Sequence, residues 1–175
     1  NMYGLGIFGH HWRDVRSDTF LRSVWDTRRF LPGMPAIRAE SARFEVDFGD
    51  DLAKFAAKAL FIGSRDAGFF ADGPGFDDMF VERVHTSYPA SGSPANPPYG
   101  TGISYVIFDN IAPDSVCLFV DFYGDDSAEW SVILAAKYPD RVEFLPMLFD
   151  SGSVSGHYIE GAGYCQYVAL IAVPD

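Results

Sequence analysis

The amino-acid sequence predicts an α+β fold: a single domain with a mixed or largely antiparallel sheet and about three helices packed on it. Helix-like and strand-like patterns are interspersed along the chain, and two strand-like runs are separated by a connector of hairpin length. The 175 residues, of which 48% are hydrophobic, match one ordinary globular domain in length and composition. We expect this domain to span residues 2–175, with Asn1 a remnant ahead of the native start.

Three segments have the apolar spacing and the boundary residues of amphipathic helices. They lie between Ser17 and Pro32, between Gly49 and Gly63, and between Asp125 and Pro139. The third segment begins with Asp126 and Glu129 at capping-box spacing. Because acidic residues in a first turn are favoured by the helix dipole, capping accounts for both Gly-Asp-Asp motifs, at 49–51 and 124–126.

Strand-like runs alternate with these helices. They cover residues 3–8, 43–48, 103–109, 116–122, 141–148 and 164–173, while 76–84 is ambiguous between strand and helix. The short connector 110–115 predicts that the runs on either side of it pair as an antiparallel hairpin. The last run is almost entirely apolar, which predicts a central position in the sheet. Residues 88–102 hold four prolines and three glycines and predict a long loop.

The net charge of −11 is unevenly distributed along the chain. Residues 1–65 contain ten basic and eight acidic residues, a surplus of +2, whereas residues 66–175 contain three basic and sixteen acidic residues, a surplus of −13. This balance argues against general nucleic-acid binding. It favours high solubility, a basic protein partner attracted over long range, or a cation site.

The sequence also predicts a cytoplasmic protein without a membrane partner. The longest strongly apolar run, 168–174, is far shorter than the ~20 residues of a membrane span. Charged residues between positions 13 and 18 interrupt any secretory leader. Cys117 and Cys165 lie in apolar strand-like runs, where we expect buried free thiols suited to a reducing compartment.

No motif in the sequence fixes a reaction. His10 and His11 are adjacent, so on a strand they would point to opposite faces rather than share a metal. The run Ser-Gly-Ser-Val-Ser-Gly at 151–156 has Val154 where a nucleophile elbow needs serine. Cys165 stands in an apolar strand rather than in an activating setting. We therefore predict no catalytic residue, no metal ligand and no cofactor, and we favour a non-enzymatic role.

The acidic region after residue 120 is the candidate partner-binding surface. Aromatic anchors among charged groups are typical of protein interfaces. The predicted partner-binding residues are Asp121, Tyr123, Asp125, Asp126 and Glu129, together with Asp77 and Asp78. Two alternatives remain: a structural or ligand-holding module, and an enzyme with an unrecognised active site that uses a divalent cation near Asp121, Asp125 and Asp126.

In size, acidity and mixed fold the chain resembles bacterial toxin-immunity proteins, including those of contact-dependent inhibition systems. The resemblance rests on general character, and no family residues carry over from it. It implies a protein that binds and neutralises a basic, nuclease-type toxin domain in the cytoplasm, with no nucleic acid and no membrane as partner.

Overall fold

The computed structural model describes residues 9, 11–13, 16–94, 98, 102–147 and 154–174, and it confirms the α+β fold class. Three α-helices of ten residues or more lie within these ranges: α1 (Asp18–Thr27), α2 (Gly33–Arg43) and α3 (Phe48–Ala59). Short 3-10 helices cover Gly63–Arg65, Gly73–Gly75 and Ala162–Tyr164. The strands are β1 (Arg83–His85), β2 (Ser104–Asp109), β3 (Cys117–Tyr123), β4 (Trp130–Lys137), β5 (Val142–Met147), β6 (Val154–Glu160) and β7 (Tyr167–Pro174).

The chain divides into two units, Asn1–Phe55 and Ala56–Asp175. The expectation of one domain over residues 2–175 stays a prediction. The strand expected at 3–8 lies outside the described residues, as does part of the 88–102 loop. The described residues of that loop, 88–94, 98 and 102, contain neither helix nor strand.

The first predicted helix is confirmed as α1 in the N-terminal unit. Ser17 caps it by accepting a hydrogen bond from the Phe20 amide at 3.3 Å, which satisfies one of the free amides of the first turn. Phe20 and Val24 are buried. The Phe20 ring makes edge contacts with Trp12 and Phe44, with centroids 5.2 and 5.3 Å apart. These aromatic contacts form the centre of this unit.

The strand predicted at 43–48 is wrong. Arg43 ends α2, and Glu45 takes a left-handed conformation with φ 54°. The Val46 amide donates to the Ser41 carbonyl at 2.8 Å, which is the long bond of a Schellman termination. Three alternating apolar residues were too few to distinguish a strand from this turn, which leads directly into α3.

The second predicted helix is confirmed as α3, with one difference at its start. The carboxylate of Asp47, one turn earlier than expected, accepts from the Asp50 amide at 2.9 Å. Asp50 pairs with Lys54 on the exposed side. Asp51 is buried and bonds the Arg16 guanidinium through both carboxylate oxygens, at 2.5 and 3.3 Å. Both aspartates of the 49–51 motif therefore lie in the first turn of α3, where their carboxylates form ion pairs with Arg16 and Lys54 rather than cap the helix.

The C-terminal unit contains a five-stranded sheet in the order β1-β2-β7-β4-β5. β1 runs parallel to β2, and the other neighbours are antiparallel, so the sheet is mixed. β7 lies at the centre, as its apolar composition predicted. The ambiguous segment 76–84 resolves into β1 at its end. The Tyr105 hydroxyl on β2 donates to the Ala56 carbonyl of α3 at 2.9 Å, which fastens the end of that helix to the sheet.

The hairpin predicted across 110–115 is wrong. Both edges of β2 are already occupied, by β1 and by β7, so β3 cannot pair with it. β3 instead pairs with β6 in a separate two-stranded sheet, here called the ribbon. The hairpin signal was local, whereas the actual partners are distant in sequence.

The helix predicted at 125–139 is also wrong, because residues 130–137 form β4. Five consecutive residues of β4 are buried, since the strand is covered on both faces. A continuous apolar run has no period that separates strand from helix. The Asp125 carboxylate accepts from the Ser127 amide at 2.8 Å, so it orders a turn before β4 rather than capping a helix.

The ribbon covers one face of the five-stranded sheet. Val120 of β3 and Ile159 of β6 are buried in the same core as residues of the central strands. The buried members contributed by β4 and β7 are Val132, Leu134, Ala136, Val168, Leu170 and Ala172. One face of the ribbon is therefore committed to the core, and the other is directed outward.

Candidate partner-binding face

The outward face of the ribbon, here called the ribbon face, combines aromatic and acidic side chains. On β3 the exposed residues alternate with covered ones, because successive side chains of a strand point to opposite sides. The ribbon face comprises Cys117, Phe119, Asp121 and Tyr123 of β3 with Gly156, Tyr158 and Glu160 of β6. Cross-strand register places Cys117 opposite Glu160, Phe119 opposite Tyr158 and Asp121 opposite Gly156.

An aromatic pair occupies the centre of this face. The rings of Phe119 and Tyr158 lie with centroids 4.6 Å apart at 43°, within the range of favourable aromatic contacts. Phe119 is 47% exposed and Tyr158 64% exposed. Tyr123, further along β3, is 69% exposed. Aromatic side chains clustered in solvent are a feature of interaction surfaces rather than of ordinary surface.

Gly156 fixes how the Phe119 ring lies. A Cβ atom at position 156 would overlap Phe119 Cζ and would stand 3.0 Å from Asp121 Oδ1. The Phe119 ring therefore crosses onto β6 over the backbone of Gly156, next to the Asp121 carboxylate. This is one position where the absence of a side chain is required by close approach.

The turn that follows β3 adds three exposed carboxylates, those of Asp125, Asp126 and Glu129. The Ser127 hydroxyl and amide hold the pKa of Asp125 below its usual range by bonding to its carboxylate. The Trp130 indole donates to the Asp125 carbonyl at 3.0 Å, which fixes the turn from the other side. No lysine or arginine occurs in 111–136 or in 154–174, so these carboxylates have no cation nearby in sequence.

The predicted site residues fall into two groups. Asp121 and Tyr123 lie on the ribbon face, and Asp125, Asp126 and Glu129 lie in the turn directly after it. Asp77 and Asp78 lie elsewhere in sequence, before β1.

The Asp78 carboxylate is used inside the fold. It accepts from the Ser64 amide at 2.6 Å and from the Ser64 hydroxyl at 2.5 Å, and Arg65 lies 3.8 Å away. The Ser64 hydroxyl and amide hold the pKa of Asp78 below its ordinary value. A role of Asp77 and Asp78 in partner binding stays a prediction.

Sequence analysis missed Phe119, Tyr158 and Glu160. The alternation from 117 to 123 was available as a signal that Phe119 shares a face with Asp121. Tyr158 and Glu160 had no such signal, because only the pairing of β3 with β6 brings them to this face.

Histidine, cysteine and carboxylate groups were also considered as metal ligands. Within the described ranges, no three such residues are grouped so that they could hold a metal ion. Asp121, Asp125 and Asp126 therefore do not form such a group, and an enzyme that uses a cation near them stays a prediction. His11 is buried, with its ring centroid 5.7 Å from that of Phe55, and His10 lies outside the described residues.

The two cysteines are free thiols in different settings. Cys117 is exposed on the ribbon face, so the expectation that it is buried is wrong. Cys165 is half-buried, and burial raises the pKa of its thiol. The Tyr138 hydroxyl lies within hydrogen-bonding reach of Cys165, and burial raises the pKa of Tyr138 to about 12. Cys117 is thus a natural reporter on the ribbon face.

Comparisons with protein-family models, with curated proteins and with solved structures find no match. Within the described residues, no helix has the length and apolar character needed to cross a membrane. Fold and site together define an α+β protein with an exposed, acidic and aromatic sheet face.

Proposed function

We propose that this chain is an acidic protein-binding module that docks a basic protein through the ribbon face. The observation that carries the proposal is the exposed Phe119–Tyr158 pair on a ribbon whose strands contain no lysine or arginine. Interfaces depend on a few buried aromatic anchors inside a polar rim. On the ribbon face the aromatic pair supplies the anchors, and Asp121 with Glu160 supplies the rim.

The aromatic residues account for affinity in this proposal. Covering one large apolar side chain contributes about 2 kcal/mol, so two adjacent rings form a centre worth several kcal/mol before the cost of association. The rings are preorganised by Gly156 and by each other, so little freedom is lost when a partner covers them.

The carboxylates account for the choice of partner and the speed of encounter. The surplus of −13 after residue 65 creates a field that attracts a basic protein and repels acidic ones. Part of this charge is already used inside the fold, as at Asp78. The carboxylates of the ribbon face and of the following turn stay exposed to a partner.

The particular role we propose is that of an immunity protein that neutralises a basic, nuclease-type toxin domain in the cytoplasm. The resemblance in size, acidity and mixed fold supports this role. A nuclease must present a basic surface to its nucleic-acid substrate. An acidic face that covers such a surface would block substrate binding without any chemistry of its own.

The test uses the full chain and, as its partner, a basic nuclease-type toxin domain sought among the genes that neighbour its own. Association is measured by surface plasmon resonance at about 50 and about 300 mM salt, and we expect the on-rate to fall by about tenfold or more. Phe119→Ala and Tyr158→Ala should each raise the dissociation rate, since truncating a buried anchor removes contact area.

Phe80→Ala is the control, because Phe80 is also a solvent-exposed aromatic residue, at 75% exposure, but lies outside the ribbon. It should leave both rates unchanged. Absence of binding by the wild-type chain, or equal effects of Phe80→Ala and Phe119→Ala, would contradict the proposal.

A further inference from the structure

We propose that the ribbon face selects arginine over lysine, by holding a guanidinium over the Phe119–Tyr158 pair between the carboxylates of Asp121 and Glu160. This inference rests on the proposed function, because it names the chemistry by which the same face would recognise its basic partner. The occupant is an arginine side chain on the surface of that protein.

The register of β3 and β6 determines where the two carboxylates lie relative to the aromatic pair. Asp121 follows Phe119 by two residues on β3, and Glu160 follows Tyr158 by two residues on β6. Because the strands are antiparallel, the two carboxylates lie at opposite ends of the aromatic pair. Residues two apart on a strand are about 7 Å apart, within reach of a flat cation that lies on the rings. An aromatic centre is thus flanked by an acid on each side.

The aromatic surface is held in place before any partner arrives. The Phe119 ring lies across Gly156 and packs against Tyr158, while remaining half-exposed. A ring that is fixed and yet open on one side offers a cation a ready platform. The neighbouring Asp121 carboxylate lies near the same edge of the Phe119 ring, because both would contact a Cβ at position 156.

The chain uses the same combination for its own arginines. The Arg141 guanidinium lies 4.1 Å from the Tyr138 ring centroid, and its Nε donates to Glu143 at 2.7 Å. The Arg43 guanidinium lies 5.9 Å from the Phe44 centroid and 3.4 Å from a carboxylate oxygen of Glu40. An aromatic ring beside a carboxylate is therefore an environment that holds arginine in this fold.

Lysine fits the same environment less well. A guanidinium is planar and weakly hydrated, so it stacks on a ring while its N–H groups point sideways to carboxylates. An ammonium is a compact, strongly hydrated charge that must lose more water to contact a ring. Carboxylates alone would attract a guanidinium and an ammonium about equally. The preference for arginine therefore comes from the aromatic rings.

The test compares two probes of equal charge, fluorescein-labelled nona-arginine and nona-lysine peptides, binding to the full chain. Affinities are measured by fluorescence anisotropy at about 50 mM salt. We expect nona-arginine to bind about fivefold more tightly. Phe119→Leu and Tyr158→Leu keep apolar bulk but remove a ring, and each should bring the ratio of affinities close to one while leaving nona-lysine binding within about twofold.

Phe80→Leu is the matched control and should keep the wild-type preference. Circular dichroism checks that each variant is folded, and having two ring variants keeps the test valid if one fails. Equal binding of both peptides to the wild-type chain would overturn this inference and leave the proposed function standing. A preference that persists in both ring variants would also overturn it. Failure of both peptides to bind, together with failure of the toxin domain, would overturn the proposed function.

Discussion

The hydroxyl of Tyr105 donates to the carbonyl oxygen of Ala56 at 2.9 Å, from a fully buried position between β2 and the end of α3. Burial raises the pKa of this phenol, so it stays a neutral donor throughout the accessible pH range. This bond is a direct link between a helix and the five-stranded sheet within the C-terminal unit.

Tyr105→Phe should therefore destabilise the protein by about 1 kcal/mol, because it removes the donor while keeping the ring. The free energy of unfolding is measured by urea denaturation. Tyr164→Phe serves as the control, since Tyr164 is mostly exposed, and it should change the free energy by less than about 0.5 kcal/mol. Equal effects of the two substitutions would show that the buried bond contributes nothing.

The second prediction concerns Glu40, a buried carboxylate on α2. Thr27 at the end of α1 donates to Glu40 Oε1 at 2.6 Å, and this bond holds the pKa of Glu40 below its usual value. A lowered pKa means that the folded state stabilises the ionised form. The contribution is present above the unfolded pKa of about 4.3 and is lost as pH falls through the lower folded value.

Glu40→Gln should accordingly lower the urea midpoint at pH 6, and the gap to wild type should shrink at pH 3. Asp26→Asn is the control, because Asp26 is exposed and pairs with Arg29 only at 3.7 Å. A gap that is the same at both pH values would exclude ionisation of Glu40 as its source.

The third prediction concerns Gly156. Gly156→Ala should weaken binding of the toxin domain about tenfold, equivalent to about 1.4 kcal/mol, because the added methyl displaces the Phe119 ring from the ribbon face. Gly75→Ala is the control, since a Cβ there meets nothing within 4 Å. Unchanged affinity in folded Gly156→Ala would show that the position of the ring does not matter for binding.

The fourth prediction uses the exposed thiol of Cys117. Binding of the toxin domain should slow maleimide modification of Cys117 by about tenfold or more, because its position opposite Glu160 lies within the proposed interface. The rate is followed by mass spectrometry in a Cys165→Ser background. Asp140→Cys, introduced with Cys117→Ser, places a thiol on an exposed site outside the ribbon and should react at the same rate with and without partner. Unprotected Cys117 in a saturated complex would place the interface elsewhere.

Features with a local cause were predictable from sequence. The start of α1 near Ser17 and the central position of β7 were both predicted correctly, because a capping oxygen and an uninterrupted apolar run act within a few residues. β4 was mistaken for a helix because it is buried on both faces. Its sequence therefore lacks the alternation of apolar and polar residues that identifies a half-buried strand. The pairing of β3 depended on which edges of β2 were free, a property of the whole sheet.

The candidate site divides in the same way. Asp121 and Tyr123 were found because charge and aromatic content are visible along a single strand. The contact between Tyr158 and Phe119 could not be predicted. β3 and β6 are far apart in sequence, and neither strand contains a local pattern that specifies the register in which they pair.

The separation of β3 and β6 also has a consequence for biosynthesis. β4 and β5 lie between them in the chain, so the two strands meet only after the intervening segment has been made and folded back. A nascent chain that has emerged only as far as β5 therefore carries half of the ribbon and no aromatic pair. The proposed interface can therefore form only after β6 has been synthesised, late in the making of the chain.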